Sequence, residues 1–253
     1  MRLRAAIAIA AGLSILTFFG AGADAAEIKV MISNALKSTM EELTPEFEKA
    51  TGNKLAITFG AAAELKASIE KGTPIDLAIL TTATTDDLVK EGKLSAAGRA
   101  DIARSGAGVA ARKGAPKPDI STTEGFRRAL LEAKSIAYVE AGATAPYIKS
   151  LFEHLGIADQ IKPKLKPQPT SNPAAKAVAN GEAELGITQI SEILPYAGAE
   201  LVGPLPAEVQ LYTVYPAALA TDTKDPDAAK ALIKFLTAPA AIAVLKAKGL
   251  SPG

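Results

Sequence analysis

Along the chain, short apolar runs alternate with stretches in which apolar residues return every three or four positions. Ile28-Lys29-Val30-Met31-Ile32 predicts a strand, ended by Ser33-Asn34. Ser38 then opens a helix with Met40, Leu43 and Phe47 at helical spacing, stopped by Gly52 after Thr51. Leu55 to Phe59 predicts a second strand, and Gly60-Ala61-Ala62-Ala63 leads from it into a helix carrying Leu65 and Ile69. Gly72-Thr73-Pro74 closes that helix before a third, buried strand at Ile75 to Leu80. Asp86-Asp87 suit a helix N-terminus, with Leu88, Val89 and Leu94 turned inward. Strands alternating with helices in this way define an α/β domain with a mainly parallel sheet.

A second series begins near Gly106. Val109-Ala110-Ala111 predicts a strand, and Thr122 or Thr123 caps a helix containing Phe126, Leu130 and Leu131. Ile136 to Val139 predicts a strand, Gly142-Ala143-Thr144-Ala145 a junction, and Pro146 to Leu155 a helix stopped by Gly156. Ile161 to Pro169 reads as extended. Ser171-Asn172-Pro173 then opens a helix through Val178 that ends at Asn180-Gly181. Leu185-Gly186-Ile187 predicts a strand, Ile190 to Tyr196 a short helix, and Val209 to Val214 a strand. Two helices follow, Asp227–Leu236 and Pro239–Lys248. This pattern suits two α/β lobes, the first from residues 26–105 plus 216–253 and the second from 106–215.

The first 25 residues have a different purpose. Arg2 and Arg4 precede an apolar run from Ala5 to Phe19, and Ala23-Asp24-Ala25 offers a small-x-small cleavage site. The run is shorter than the ~20 residues that cross a bilayer. A cleavable export signal and a mature chain that does not insert in the membrane are expected, with the periplasm as destination. Cleavage removes Arg2, Arg4 and Asp24, leaving acidic and basic side chains equal in number. That balance argues against a nucleic-acid partner.

Composition removes much of catalysis. There is no cysteine, so disulfides, thiolate nucleophiles and Cys-based metal sites are absent, and the single histidine, His154, cannot build a multi-histidine centre. No Gly-x-Ser-x-Gly elbow or phosphate-binding Gly-x-x-x-x-Gly-Lys loop occurs. Gly106-x-Gly108-x-x-Ala111 fits a dinucleotide fingerprint only loosely and lies at the start of a strand. Lys162-Pro163-Lys164-Leu165-Lys166 reads as a solvated edge, and His154 as a helix-end residue. No cofactor and no protein-bound metal are expected.

Four junctions share one chemistry: Ser33-Asn34-Ala35, Gly60-Ala61-Ala62-Ala63, Gly142-Ala143-Thr144-Ala145 and Ser171-Asn172-Pro173. Each carries small residues from an extended run into a helix, whose first amides are unpaired and electropositive. Small side chains suit tight turns, and they also let an anion reach those amides.

Several segments carry a resemblance. The Ser33-Asn34-Ala35-Leu36 turn, PEFEKATG (Pro45–Gly52), FGAAAELKASIEKGTPIDLAI (Phe59–Ile79), NGEAELGIT (Asn180–Thr188) and KALIKFLTAPAAIAVLKAKGL (Lys230–Leu250) together resemble the periplasmic molybdate-binding proteins of ABC transporters. The resemblance implies a type II periplasmic binding protein fold: two lobes, each a mainly parallel sheet flanked by helices, joined by two hinge crossovers. It implies capture of a small anion in the cleft by lobe closure, delivery to an ABC permease in the inner membrane, and a monomer. A metal oxyanion would bind as ligand at the same positions.

The family's contact positions are changed here. An ungapped match back from Phe47 puts Ala35 where the family has a serine, and Ala62 replaces a second serine. Gln189 stands where the family has a tyrosine, while its backbone contacts in the second lobe fall near Thr144 and Ser171. Each hydrogen bond lost to a charged ligand costs about 1.5–3 kcal/mol. Two outcomes stay open: molybdate itself, held mainly by backbone amides, or an altered selectivity toward another oxyanion or a small organic carboxylate, with Ser33, Asn34, Thr144, Ser171, Asn172 and Gln189 as donors. Ala35, Gly60, Ala61, Ala62, Ala63 and Ala145 would complete the walls, and Arg104 and Arg112 are candidate cations. The alternative is a secreted enzyme or a ligand sensor on the same scaffold.

Overall fold

The computed structural model describes residues 26–170 and 172–253; the expected export signal and Ser171 lie outside the described residues. The first half alternates as the pattern predicts: β1 (Glu27–Ser33), α1 (Lys37–Thr51), β2 (Lys54–Gly60), α2 (Ala62–Glu70), β3 (Leu77–Ile79) and α3 (Thr82–Lys90). Helix α1 buries Met40, Leu43 and Phe47 and ends at Gly52, whose φ of 77° is left-handed and whose N–H donates to Glu48 O at 2.9 Å.

The chain then enters β4 (Ala100–Arg112), a strand of 13 residues that continues from one sheet segment into the other. The second segment contains α4 (Thr123–Glu132), β5 (Ile136–Val139), α5 (Ala145–His154), α6 (Ala158–Ile161), β6 (Leu165–Gln168), α7 (Ala174–Ala179), β7 (Leu185–Gln189), α8 (Ile190–Ile193) and β8 (Ala199–Pro204). The return path is β9 (Tyr212–Leu219), followed by α9 (Pro226–Leu236), α10 (Pro239–Ala247) and β10 (Ser251–Pro252).

The strands run in the order β2-β1-β3-β9-β4-β7-β5-β6, with β8 and β10 also paired to β4. Pairs β1–β2, β1–β3, β5–β6 and β5–β7 are parallel. Pairing becomes antiparallel where β4 and β9 thread between them. The N-terminal part of β4 pairs with β9, and its C-terminal part pairs with β7 and β8. The two largest apolar cores lie one on each side of this crossing. One gathers Ile28, Ile32, Phe47, Leu77, Tyr215 and Leu232, with Phe47 edge-on to Phe235 at 5.4 Å. The other gathers Val109, Phe126, Ile136, Ile148 and Ile187.

Several elements differ from their sequence expectation. The short strand expected at Val109–Ala111 is the end of β4. Its earlier residues run Ser105-Gly106-Ala107-Gly108, all buried, so neither alternation nor bulk marks them as strand. At Gly108 an added Cβ would lie 2.8 Å from Ile190 Cγ1, so this glycine serves the seating of α8 and no dinucleotide. The strand expected at Val209–Val214 starts at Tyr212, after a 3-10 turn at Ala207–Val209, and continues through Pro216 to Leu219. Pro216 has no N–H to donate, and the β4–β9 register shifts beside it, between Asp101 and Ala103. Helix α8 stops at Ile193, short of Tyr196: Leu194 keeps helical backbone, but Pro195 has no N–H to continue the helical hydrogen bonds. The extended reading of Ile161–Pro169 holds only for β6; a 3-10 turn at Lys162–Lys164 precedes it.

Among the described residues, no single helix is long and apolar enough to cross a membrane.

Candidate functional site

Where the two sheet segments face each other, the structure forms a cleft of about 410 Å3. On one side it is lined by the turn after β1 (Ser33, Asn34), the start of α1 (Lys37, Ser38, Glu41) and the β2–α2 junction (Gly60, Ala61, Ala62). The facing wall comes from the loop after β5 (Gly142, Ala143), the approach to α7 (Thr170, Pro173), and α8 with the residues after it (Ser191, Glu192, Tyr196). Tyr215 of β9 also lines it.

Local sequence explains each wall. Gly142 closes a tight turn, its N–H donating to Val139 O at 3.0 Å, and an added Cβ would sit 3.0 Å from that same oxygen. Small residues at Gly60-Ala61-Ala62 let the cleft reach the first amides of α2. Asn34, Lys37, Ser38 and Glu41 fall at helical spacing, opposite the buried Leu36, Met40, Leu43 stripe.

The polar inventory is unusual for an anion site. Lys37 is the one cation among the lining residues; it lies 3.9 Å from Glu41 in an exposed pair. Two hydroxyls of the cleft lining are buried without a hydrogen-bond partner among the described residues: Ser38 Oγ and Tyr215 OH. Burial pushes the Tyr215 phenol well above its usual pKa, and the nearby Glu192 pushes it further, against a smaller opposing effect of the Thr213 and Ser33 hydroxyls. Those hydroxyls are close, but neither makes a hydrogen bond of good geometry with it. Glu192 lies in the opposite wall, accepting from the Thr188 hydroxyl at Oε2. Burial raises its carboxyl above the ordinary value, and the bonds from Thr188 and the Gln189 backbone only partly offset this. Burial, then Glu192 and Glu41, likewise raise the Tyr196 phenol. Among the described residues no cation pairs with Glu192.

The structure brings part of each expected junction to this cleft: Ser33 and Asn34, Gly60 with Ala61 and Ala62, Gly142 with Ala143, and Pro173. Other expected positions lie elsewhere. Ala35 is 1% exposed and packs in the first core, because the 3-10 turn at Asn34–Leu36 rotates it inward. Ala63 faces an adjoining groove shared with Thr81 and Tyr147. Thr144 and Ala145 are buried behind Gly142-Ala143. Asn172 turns away, donating to Gln168 and Glu182, each at 2.9 Å. Gln189 is buried and donates to Thr213 Oγ1 at 2.8 Å, leaving its own Oε1 unpartnered. Arg104 stacks over Tyr212 at 5.1 Å, and Arg112 lies beside Gly181, so neither supplies the cleft with charge. His154 is the exposed last residue of α5.

Sequence reasoning missed Lys37, Ser38, Glu41, Ser191, Glu192, Tyr196 and Tyr215. For the first three a signal was present, the polar stripe continuing from Asn34 at helical spacing. No comparable signal marked Tyr215, which looks like any aromatic core residue in a strand. Among the described residues no group of three or more His, Asp or Glu side chains could hold a metal ion.

Residues 28–251 match the family of bacterial extracellular solute-binding proteins, and the chain belongs to that family. Over 230 residues it is 31% identical to the aconitate isomerase of a Pseudomonas species, covering 89% of this chain and 87% of that one. It is 29% identical over 256 residues to a molybdate-binding protein of Azotobacter vinelandii, covering 97% and 96% of the two chains. The solved structure of the periplasmic molybdate-binding protein of Azotobacter vinelandii superposes with a TM-score of 0.76 at 22% identity, covering 89% of this chain and 99% of that one. The protein is a solute-binding protein with the two-lobed α/β fold of periplasmic binding proteins.

Proposed function

We propose that the protein captures a small organic carboxylate in the cleft after export to the periplasm and passes it, as a monomer, to an ABC permease of the inner membrane. The lobes are residues 26–105 with 216–253, and residues 106–215. The observation that carries this reading is the pairing of donors with a half-buried acid: unpartnered hydroxyls of Ser38 and Tyr215 share one cleft with Glu192. A carboxyl whose pKa is raised donates a hydrogen bond while protonated, which suits a ligand carboxylate. Size points the same way, since about 410 Å3 lies within the ~300–1,000 Å3 of pockets that enclose organic ligands. Binding shifts the lobes toward the closed arrangement by favouring that state.

Thermal-shift and calorimetric titration tests the reading. Di- or tricarboxylates at 100 times their dissociation constant are expected to stabilise the protein by ~2.7 kcal/mol. Molybdate, tungstate, sulfate and phosphate are expected to do far less. Tight molybdate binding with silence from every carboxylate overturns it.

A second reading adds turnover. The aconitate isomerase relative supports it, because that resemblance covers most of both chains, and so does an unpaired carboxyl inside the cleft. In this reading the protein both holds and isomerises its ligand.

A further inference from the structure

We propose that Glu192 is the catalytic acid–base of an allylic isomerase, moving one proton between two carbons of an unsaturated polycarboxylate held in the cleft. This rests on the reading that the cleft takes a carboxylate ligand.

Three features of the structure assign that role. Glu192 lines the cleft, and the Thr188 hydroxyl holds its Oε2, which fixes the carboxyl against the wall. It has no cationic partner among the described residues, so it does not serve an ion pair that holds the fold. Glu192 is half-buried, and partly desolvated acids without such partners concentrate in clefts where chemistry needs them. Across from it stand the groups that a transient carbanion requires: Lys37, the Ser38 hydroxyl and the first amides of α2. Tyr215 adds a hydroxyl with no hydrogen-bond partner among the described residues.

The step balances without a cofactor. The Glu192 carboxylate takes a proton from a methylene flanked by a carboxylate and a C=C bond. The C–H pair becomes a new C=C bond, and the electrons of the old one pass onto the far carbon and its carboxylate as a dienolate. Glu192, now a carboxylic acid whose proton exchanges with solvent, protonates that far carbon. The double bond has moved by one position, nothing has been oxidised or reduced, and Glu192 regains its starting state. Burial of the carboxyl brings its proton affinity nearer to neutral pH, where a general acid–base works best.

The mature protein is incubated in D2O with cis- or trans-aconitate and followed by proton NMR, while calorimetry measures binding of the saturated propane-1,2,3-tricarboxylate. Expected for the native chain are interconversion of the two isomers and deuterium in the methylene and vinyl positions. Glu192→Gln is expected to slow both by at least ~100-fold, with affinity for the saturated tricarboxylate retained or raised near neutral pH. Glu192→Asp, which retains the carboxyl, is expected to fall between, and supplies the comparison if the Gln variant melts early. Tricarboxylate binding by the native chain with neither isomerisation nor deuterium uptake overturns the inference and leaves the carrier reading standing. An undiminished rate in Glu192→Gln also overturns it. Failure of all three carboxylates to bind removes the ligand reading and the inference together.

Discussion

Thr170 Oγ1 donates a hydrogen bond of 2.9 Å to Glu64 Oε1, tying the loop before α7 to the first turn of α2 across the cleft. The same Glu64 carboxylate accepts from the Ala61 N–H at 3.3 Å through Oε2, so one side chain both caps α2 and holds the opposite wall. A bond that exists only when the walls meet selects the closed state, and its loss lowers affinity without touching the ligand.

Thr170→Val removes the donor and keeps the shape. The bond is exposed, so its contribution is at most about 1 kcal/mol. Ligand affinity by calorimetry is expected to fall up to about fivefold, with the melting temperature of the ligand-free protein unchanged. Affinity within twofold of the native chain would show that the contact does not favour closure.

Tyr215→Phe separates ligand binding from folding. The phenol is wholly buried and its hydroxyl makes no hydrogen bond with a described residue, so the fold loses nothing by its removal. Chemical denaturation is expected to show equal or greater stability without ligand. Affinity for a carboxylate is expected to fall by about 10- to 100-fold, the effect of one hydrogen bond to a charged ligand. A large loss of stability with unchanged affinity would place Tyr215 in the core alone.

Ala35 and Ala62 respond differently to the same change. Ala62→Ser adds a hydroxyl to the cleft wall where α2 begins, and is expected to raise affinity for a tetrahedral oxyanion such as molybdate. Ala35→Ser puts its hydroxyl into the first core, among Leu36, Phe47 and their neighbours. Unless it finds a backbone acceptor it costs about 1–3 kcal/mol and gives the oxyanion no donor. Parallel denaturation and molybdate titration of the two single variants distinguish them; a gain in molybdate affinity from Ala35→Ser would contradict the burial seen here.

That contrast shows how far sequence carried and where it stopped. Strand β2 and helices α1 and α9 announce themselves by periodicity, because each buries one face more than the other, while β1 and β3 show as short apolar runs bounded by turn residues. Strand β4 does not, since both its faces are covered and its glycines resemble a turn. The small-residue junctions at Ser33, Gly60–Ala62 and Gly142 line the cleft, where a backbone that comes close to something excludes bulk. Counting residues back from Phe47 selects Ala35, which the structure buries in the first core: a single 3-10 turn between β1 and α1 decides which of Ser33, Asn34 and Ala35 faces the cleft, and no local pattern marks that rotation. Glu192 was hidden for a different reason. An acid in a short helix reads as solvated, and only the fold of β7 and α8 against β4 reveals that the cleft encloses it.

Glu192 should also shape the pH dependence of stability. Its carboxyl is raised above the ordinary 4.5, chiefly by burial, so the folded state holds the proton more tightly than the unfolded chain does. The stabilisation is then complete below the unfolded value and is lost as pH rises through the higher folded value. Glu192→Gln imitates the protonated side chain at every pH. Relative to the native chain, its stability by urea denaturation is expected to be similar near pH 4 and to become greater as pH rises to neutrality. The affinity of the native chain for a carboxylate should decline over the same interval, because an ionised Glu192 withdraws its donor and places a negative charge beside the ligand, whereas the Gln variant should keep a flat profile. A stability difference that stays constant across that range, or shrinks as pH rises, would mean that Glu192 ionises in the folded protein as it does in the unfolded chain.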